Sequence, residues 1–427
     1  MIDALTTLAA SRREGTAKGM PSVCSAHPLV VKAAAREAAD AGAPLLIEAT
    51  CNQVNQFGGY TGMQPADFVS GTMDIARREN LPAGRLIFGG DHLGPNPWRD
   101  EPAESAMRKA EDMVDAYARA GFRKLHLDAS MGCGSEAEPL GDATIAERGK
   151  TGCPGRTHGR RARRRHAGLC DRHRSSPAGR RASCHFGDRA HEPRRGAQHS
   201  GGPPRGFPPP RTRRSAVPRH RHRRATGRRI RQRENVILYD RARAARLPAL
   251  LAEEPNLVYE AHSTDYQGPR PLRALVEDGF AILKVGPELT YRLREALYGL
   301  DLIASDLFPD YGPRALYAAM EQAMLADESH WRSHYRGTPA HQRLGRHYSF
   351  SDRIRYYWGQ PGPTAAVERL VATLTGRTVP ITLFRQHLPT FETFAGKPLE
   401  PSELVISAVR RGLEDYRYAA SGAANRS

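Results

Sequence analysis

The stretch Leu86-Ile-Phe-Gly-Gly-Asp-His-Leu-Gly-Pro95 carries the reading of this chain: an apolar strand that ends abruptly in a charged pair, Asp91 and His92, and a turn. Upstream, LLIEAT (45–50) is a second short apolar run, and downstream KLHLDAS (124–130) is a third. The stretches between them, ADFVSGTMDIARREN (66–80) and AESAMRKAEDMVDAYARAG (103–121), carry helical spacing. Further out, PSVCSAHPLVV (21–31) reads as a strand and its turn, and KAAAREAADAG (32–42) as a helix ended by Gly42. After Asn235 the rhythm returns in VILYDRARAARLPALLAEE, LVYEAHSTD, PLRALVEDG and FAILKVGPELT. Strand alternating with helix is the pattern of βαβ units and a parallel sheet.

Each strand closes on polar side chains: Glu48, Asn52 and Gln53; Asp91 and His92; Asp128 and Ser130; His262, Ser263, Thr264 and Asp265; Lys284. In a (β/α)8 barrel the active site is built at the carboxyl ends of the strands, so this recurrence points to chemistry rather than packing. A barrel takes ~250 residues, and the 427 present leave room for more. Residues 1–310 are read as the barrel, and 311–427, rich in amphipathic helical patterns, as a helical appendage.

The net charge of +18 would point to nucleic acid if it were spread evenly. It is local instead: 26 of the 64 basic residues but only Asp171, Asp188 and Glu192 among the acids fall in 149–233. That segment of Arg, Pro, Gly, His and Ser has no apolar periodicity and reads as disordered. A basic nucleic-acid-binding insertion is the distant alternative, with few aromatics for stacking and no recognisable module. The six cysteines form no CxxC pair, and neither a run of ~18 apolar residues nor a signal-peptide core is present. A cytoplasmic protein without a membrane partner is expected.

The residue types of 149–233 are those of GC-rich codons, and a neighbouring reading frame gives sense. Dropping one nucleotide, Arg219–Arg233 can be read as Val-Ile-Ala-Ile-Val-Val-Gln-Pro-Gly-Val-Glu-Phe-Gly-Ser-Glu, an apolar strand with a polar end. In that frame Leu169–Arg180 can be read as Tyr-Val-Ile-Gly-Thr-Glu-Val-Pro-Pro-Pro-Gly-Gly. A pair of compensating frameshifts, entering near Arg148 and leaving near Glu234, would account for the segment.

Taken together, SVCSAHPLV (22–30), LIEATCNQVNQFGGYTGM (46–63), GGDHLGPNPW (89–98), HLDASM (126–131), VYEAHSTDYQ (258–267), AILKVGPELT (281–290) and YSFSDRIRYYW (348–358) resemble the GatZ/KbaZ family. This is the Z-subunit family of class II tagatose-bisphosphate aldolase. The resemblance implies a TIM barrel related to class II aldolases and a role in tagatose phosphate metabolism. It also implies either of two functions. One is a non-catalytic subunit that supports a separate catalytic aldolase subunit. The other is a metal-dependent D-tagatose 6-phosphate 4-epimerase giving D-fructose 6-phosphate. It leaves association with further copies of this chain open.

For such chemistry His92 and His262 are the candidate ligands of a divalent metal, zinc first, with the Glu of the recovered Gly-Thr-Glu-Val-Pro string as a third. Asp91 and Asp128 are candidate acids or bases. Ser263, Thr264 and Lys284 would bind the phosphate of the ketose, and Glu48, Asn52 and Gln53 its hydroxyls. A lone strand-end histidine is more often a satisfied structural residue, the reading given to His27 and His126. Arg353 and Arg355 are read either as phosphate contacts or as an ordinary salt-bridged surface.

Overall fold

The structure is a computed structural model that describes residues 4–134, 136, 140–151, 183–185 and 236–421. Among the described residues seven strands are formed: β1 (Met20–Val23), β2 (Leu45–Thr50), β3 (Leu86–Leu93), β4 (Lys124–Leu127), β5 (Ser183–His185), β6 (Glu260–His262) and β7 (Ile282–Val285). All pair in parallel, in the order β4-β3-β2-β1-β7-β6-β5. The first strand therefore lies between the second and the last, the order of a ring opened between β4 and β5.

The sheet curls upon itself. Flat, five strand spacings would hold β4 and β6 roughly 24 Å apart, yet Lys124 Nζ on β4 forms an ion pair with Glu260 on β6. Side-chain alternation makes the curl: Ile47, Phe88, Ala261 and Leu283 pack outward against the helices, while their neighbours Glu48, Gly89, Glu260 and Lys284 turn inward. Gly89 is needed there, because a Cβ would stand 2.6 Å from Glu48 Cγ. The amino end is stopped by a separate apolar cluster in which Leu8, on the helix Ala4–Arg13, meets Met20, Leu46, Ile87, Ala281 and Ile282.

The closed eight-stranded barrel expected from the sequence is thus represented, among the described residues, by a curled parallel sheet of seven strands with open edges at β4 and β5. The segment read as without structure provides one short strand, β5; residues 152–182 and 186–235, on which the frameshift reading falls, lie outside the described residues. The helices read as an appendage do not stand apart. The last, Pro401–Ser421, packs on Pro28–Asp40, Pro269–Glu277 and Pro287–Leu307, and Ala420 O accepts the N–H of Gly19 just before β1.

Candidate active site at the strand ends

Midway along the inner face lies a layer of buried charge. Lys124 reaches Glu48 at 2.7 Å and Glu260; Lys284 reaches Glu48 at 3.0 Å, Glu260 at 2.8 Å and Asp91. Burial would push Lys284 down, but these carboxylates outweigh it and hold the ammonium well above its usual range. Burial likewise pushes Asp91 and Glu260 up and is overcome, at Asp91 chiefly by Lys284 and at Glu260 by both lysines, so both stay ionised. Above this layer Cys24 is a thiol raised by burial.

One step nearer the carboxyl ends, three imidazoles converge. The register of β3 on β4 shifts between Gly90 and Leu93, and His92 takes a left-handed φ of 49°, a bulge that re-aims its ring. Its ring centroid lies 4.9 Å from that of His126 and 4.7 Å from that of His262. His92 Nδ1 is 3.0 Å from Asp128 Oδ2, and its Nε2 is 3.1 Å from Nδ1 of His262. On its other side, His262 Nε2 is 3.1 Å from Glu260 Oε1. His126 Nδ1 accepts the backbone N–H of His92 at 3.2 Å and stands 3.0 Å from Asp91 Oδ1.

This arrangement has an electrostatic consequence. Carboxylates at the outer nitrogens of His92 and His262 favour protons there, leaving two lone pairs facing across 3.1 Å. They repel unless a proton or another cation is shared. Of the two, His92 is the stronger base: burial pulls its pKa down, but the bond to Asp128 and the charge of Asp91 raise it overall. At His262 burial prevails over Glu260 and the pKa falls to about 3. Imidazoles oriented by carboxylates are how proteins present ligands to a metal. Asp91, His92, His126 and His262 each offer one ligand atom, all within 4.8 Å of one another, so the donor set fits a divalent metal.

The structure brings Asp91, His92, Asp128 and His262 together. Glu48 and Lys284 lie in the buried charged layer, tied to each other and to their neighbours rather than open to a sugar. Thr264 is fully buried and donates to the carbonyl of Lys284, whereas Ser263 is exposed at φ 55°. Gln53 is buried, its Oε1 accepting the N–H of Thr50, and Asn52 is exposed. His27 caps the helix Pro28–Asp40 through Leu29 N–H. His126, read from sequence as structural, stands in the cluster. Lys124 and Glu260 join the site without being candidates from the sequence; each precedes a clustered histidine by two residues, a spacing that places both on one strand face.

Fold and site together define a parallel α/β protein with a histidine–carboxylate centre at its strand ends. Residues 5–158 and 231–421 match the family described as D-tagatose-1,6-bisphosphate aldolase subunit GatZ/KbaZ-like, and the chain belongs to that family. It is 45% identical to the D-tagatose 6-phosphate 4-epimerase of Agrobacterium fabrum (strain C58), over 98% of each chain. A crystal structure described as a probable tagatose 6 phosphate kinase from Sinorhizobium meliloti 1021 is 41% identical to it. That likeness covers 94% of this chain and all of the other, with a TM-score of 0.73.

Proposed function

We propose that this protein is a metal-dependent D-tagatose 6-phosphate 4-epimerase. The observation that carries this reading is the convergence of His92, His126 and His262 on Asp91, in a chain 45% identical to a relative bearing that name. Epimerisation at C4 of a ketose proceeds by retro-aldol cleavage of the C3–C4 bond and re-addition to the other face of the aldehyde. A divalent metal held by His92 and His262, with His126 and Asp91 in reach, would supply a Lewis acid for the ketose oxygens. Asp91, kept ionised by Lys284, takes the C4 hydroxyl proton and returns it after re-addition. Asp128 fixes the tautomer and orientation of His92, and Glu260 those of His262. Lys124 and Lys284 hold the carboxylates beneath in place. Ser263, exposed at the end of β6, is left to meet the substrate.

The family description favours a second reading, a non-catalytic subunit working with a catalytic aldolase. The test is incubation of the purified chain alone with D-tagatose 6-phosphate and zinc or manganese. Formation of D-fructose 6-phosphate, abolished by chelation, is the expected result. No product from a folded protein, with stimulation of an added catalytic aldolase subunit, would replace the first reading by the second. The frameshift reading of 149–233 stands as a proposal beside it, supported by the family match stopping at 158 and resuming at 231. Sequencing of the DNA decides it: one uninterrupted frame across both borders would end it.

A further inference from the structure

We propose that Arg353 and Arg355, stacked on Tyr356 beside Tyr60, form the anion subsite that takes the phosphate of the substrate. This rests on the reading of the substrate as a phosphorylated ketose.

The two arginines flank Ile354 in a single 3-10 turn, Arg353–Tyr356. Ile354 is buried, and both guanidiniums gather over the ring of Tyr356, at 5.2 and 4.5 Å from its centroid. Their hydrogen bonds go to neutral oxygens. Arg353 Nε donates to the carbonyl of His330, while Arg355 donates to the carbonyls of Ser351 and Asp352, at 2.6 and 3.0 Å, and to the phenol of Tyr356 at 2.9 Å. Among the described residues no carboxylate lies within 4 Å of either guanidinium. The neighbouring carboxylate that would serve, Asp352, is taken by Arg294 at 3.0 Å and by Thr290 Oγ1 at 2.6 Å.

Arg294 is paired with Asp352, Arg346 with Glu321 and Arg36 with Glu79 and Glu403. Arg12 and Arg314, also partly buried, meet carbonyl oxygens and the ring of Tyr317 instead, whereas Arg353 and Arg355 stand as a partly buried pair over one ring. Two guanidiniums drawn together in partial burial without a carboxylate in ion-pair contact repel each other and lose hydration, a cost that an arriving dianion would reverse. The pull is visible at Arg353, whose pKa is lowered by burial and by Arg355, whereas at Arg355 burial is outweighed by Tyr356, Tyr60 and Asp352 and the pKa is raised. Planar guanidiniums pair bidentately with phosphate oxygens, and the rings beneath hold them in place.

The position suits a substrate spanning from the histidine centre. Tyr60 lies in the loop after β2, its ring edge-on to Tyr356 at 5.0 Å and its phenol bonded to the side chain of Gln53. The loop after β6 is fastened to the same segment, since Tyr266, four residues beyond His262, donates its hydroxyl to Phe350 O at 3.0 Å. The subsite thus lies against loops that leave the carboxyl ends of β2 and β6, the end at which His92, His126 and His262 stand.

The test titrates the full chain with inorganic phosphate, D-tagatose 6-phosphate and unphosphorylated D-tagatose by calorimetry, comparing the parent with R353Q, R355Q, R353Q/R355Q and R353K/R355K. A thermal melt and zinc binding, which this subsite does not touch, report whether each variant is folded. The double glutamine variant is expected to bind phosphate and D-tagatose 6-phosphate at least tenfold more weakly and D-tagatose unchanged, with partial recovery in the double lysine variant. Unaltered phosphate and sugar phosphate binding by folded variants, or no phosphate binding by the parent, overturns the proposal. Loss of phosphate binding in the variants of a parent that gives no D-fructose 6-phosphate leaves the subsite standing and removes the epimerase reading.

Discussion

At the scale of single residues, His27, Asp91 and Glu288 illustrate how placement decides role. His27 caps a helix, and burial lowers its pKa to about 4, so it is neutral in the folded protein. His27→Gln is expected to cost about 1 kcal/mol of stability, read by denaturant unfolding, and to leave turnover unchanged. Asp91→Asn removes the carboxylate between Lys284 and His126 and is expected to lower kcat at least ~10²-fold with a native far-ultraviolet spectrum. Glu288 is the residue with a pH signature. Burial pushes it up to about 7 although its carboxylate accepts the N–H of Tyr266. The folded chain therefore holds a proton that the unfolded chain has released between about pH 4.5 and 7, and stability falls as pH rises through that window. Glu288→Gln is expected to raise the melting temperature at pH 8 and to leave it nearly unchanged at pH 4; equal shifts at both would contradict this assignment.

At the scale of elements, the interior of the sheet follows from period-two alternation. β4 turns Lys124 and His126 inward, and β6 does the same with Glu260 and His262. The helix Pro287–Leu307 and the segment that bears Arg353 and Arg355 are joined by the ion pair of Arg294 with Asp352, both almost wholly buried. Arg294→Met leaves Asp352 buried and without its charge partner, and is expected to cost about 3–5 kcal/mol in chemical denaturation. The double variant Arg294→Met/Asp352→Leu is expected to regain part of that loss, since removing both charges removes the unpaired one. The strands themselves were legible because apolar runs between amphipathic helices leave little choice. The bulge at His92 was not: nothing in Gly-Gly-Asp-His announces a left-handed histidine, which arises where β3 must part from β4.

At the scale of the whole molecule, β4 and β5 are, among the described residues, the open edges of an otherwise ring-ordered sheet, and the chain between them includes residues 149–182 of the Arg-rich segment. Unpaired edges leave backbone groups without partners and invite association. Restoring 149–233 to the alternate frame is expected to raise the melting temperature, reduce aggregation and increase turnover of D-tagatose 6-phosphate relative to the chain as it stands, all measured on the two proteins side by side. A restored protein that melts no higher and aggregates as readily would refute the idea that the segment is a lesion in the sheet.

By itself the sequence determined the parallel α/β order, the family, and the strand-end position of Asp91, His92, Asp128 and His262, because alternation and motif wording are local properties. Tertiary structure alone decided that His126 joins them, that Glu48 and Lys284 are consumed in a buried charge network with Lys124 and Glu260, and that Arg353 and Arg355 meet no carboxylate partner among the described residues. The physical reason is that a side chain's charge state and availability depend on which groups from distant strands face it. Only the curl that carries β4 round to β6 brings those groups together.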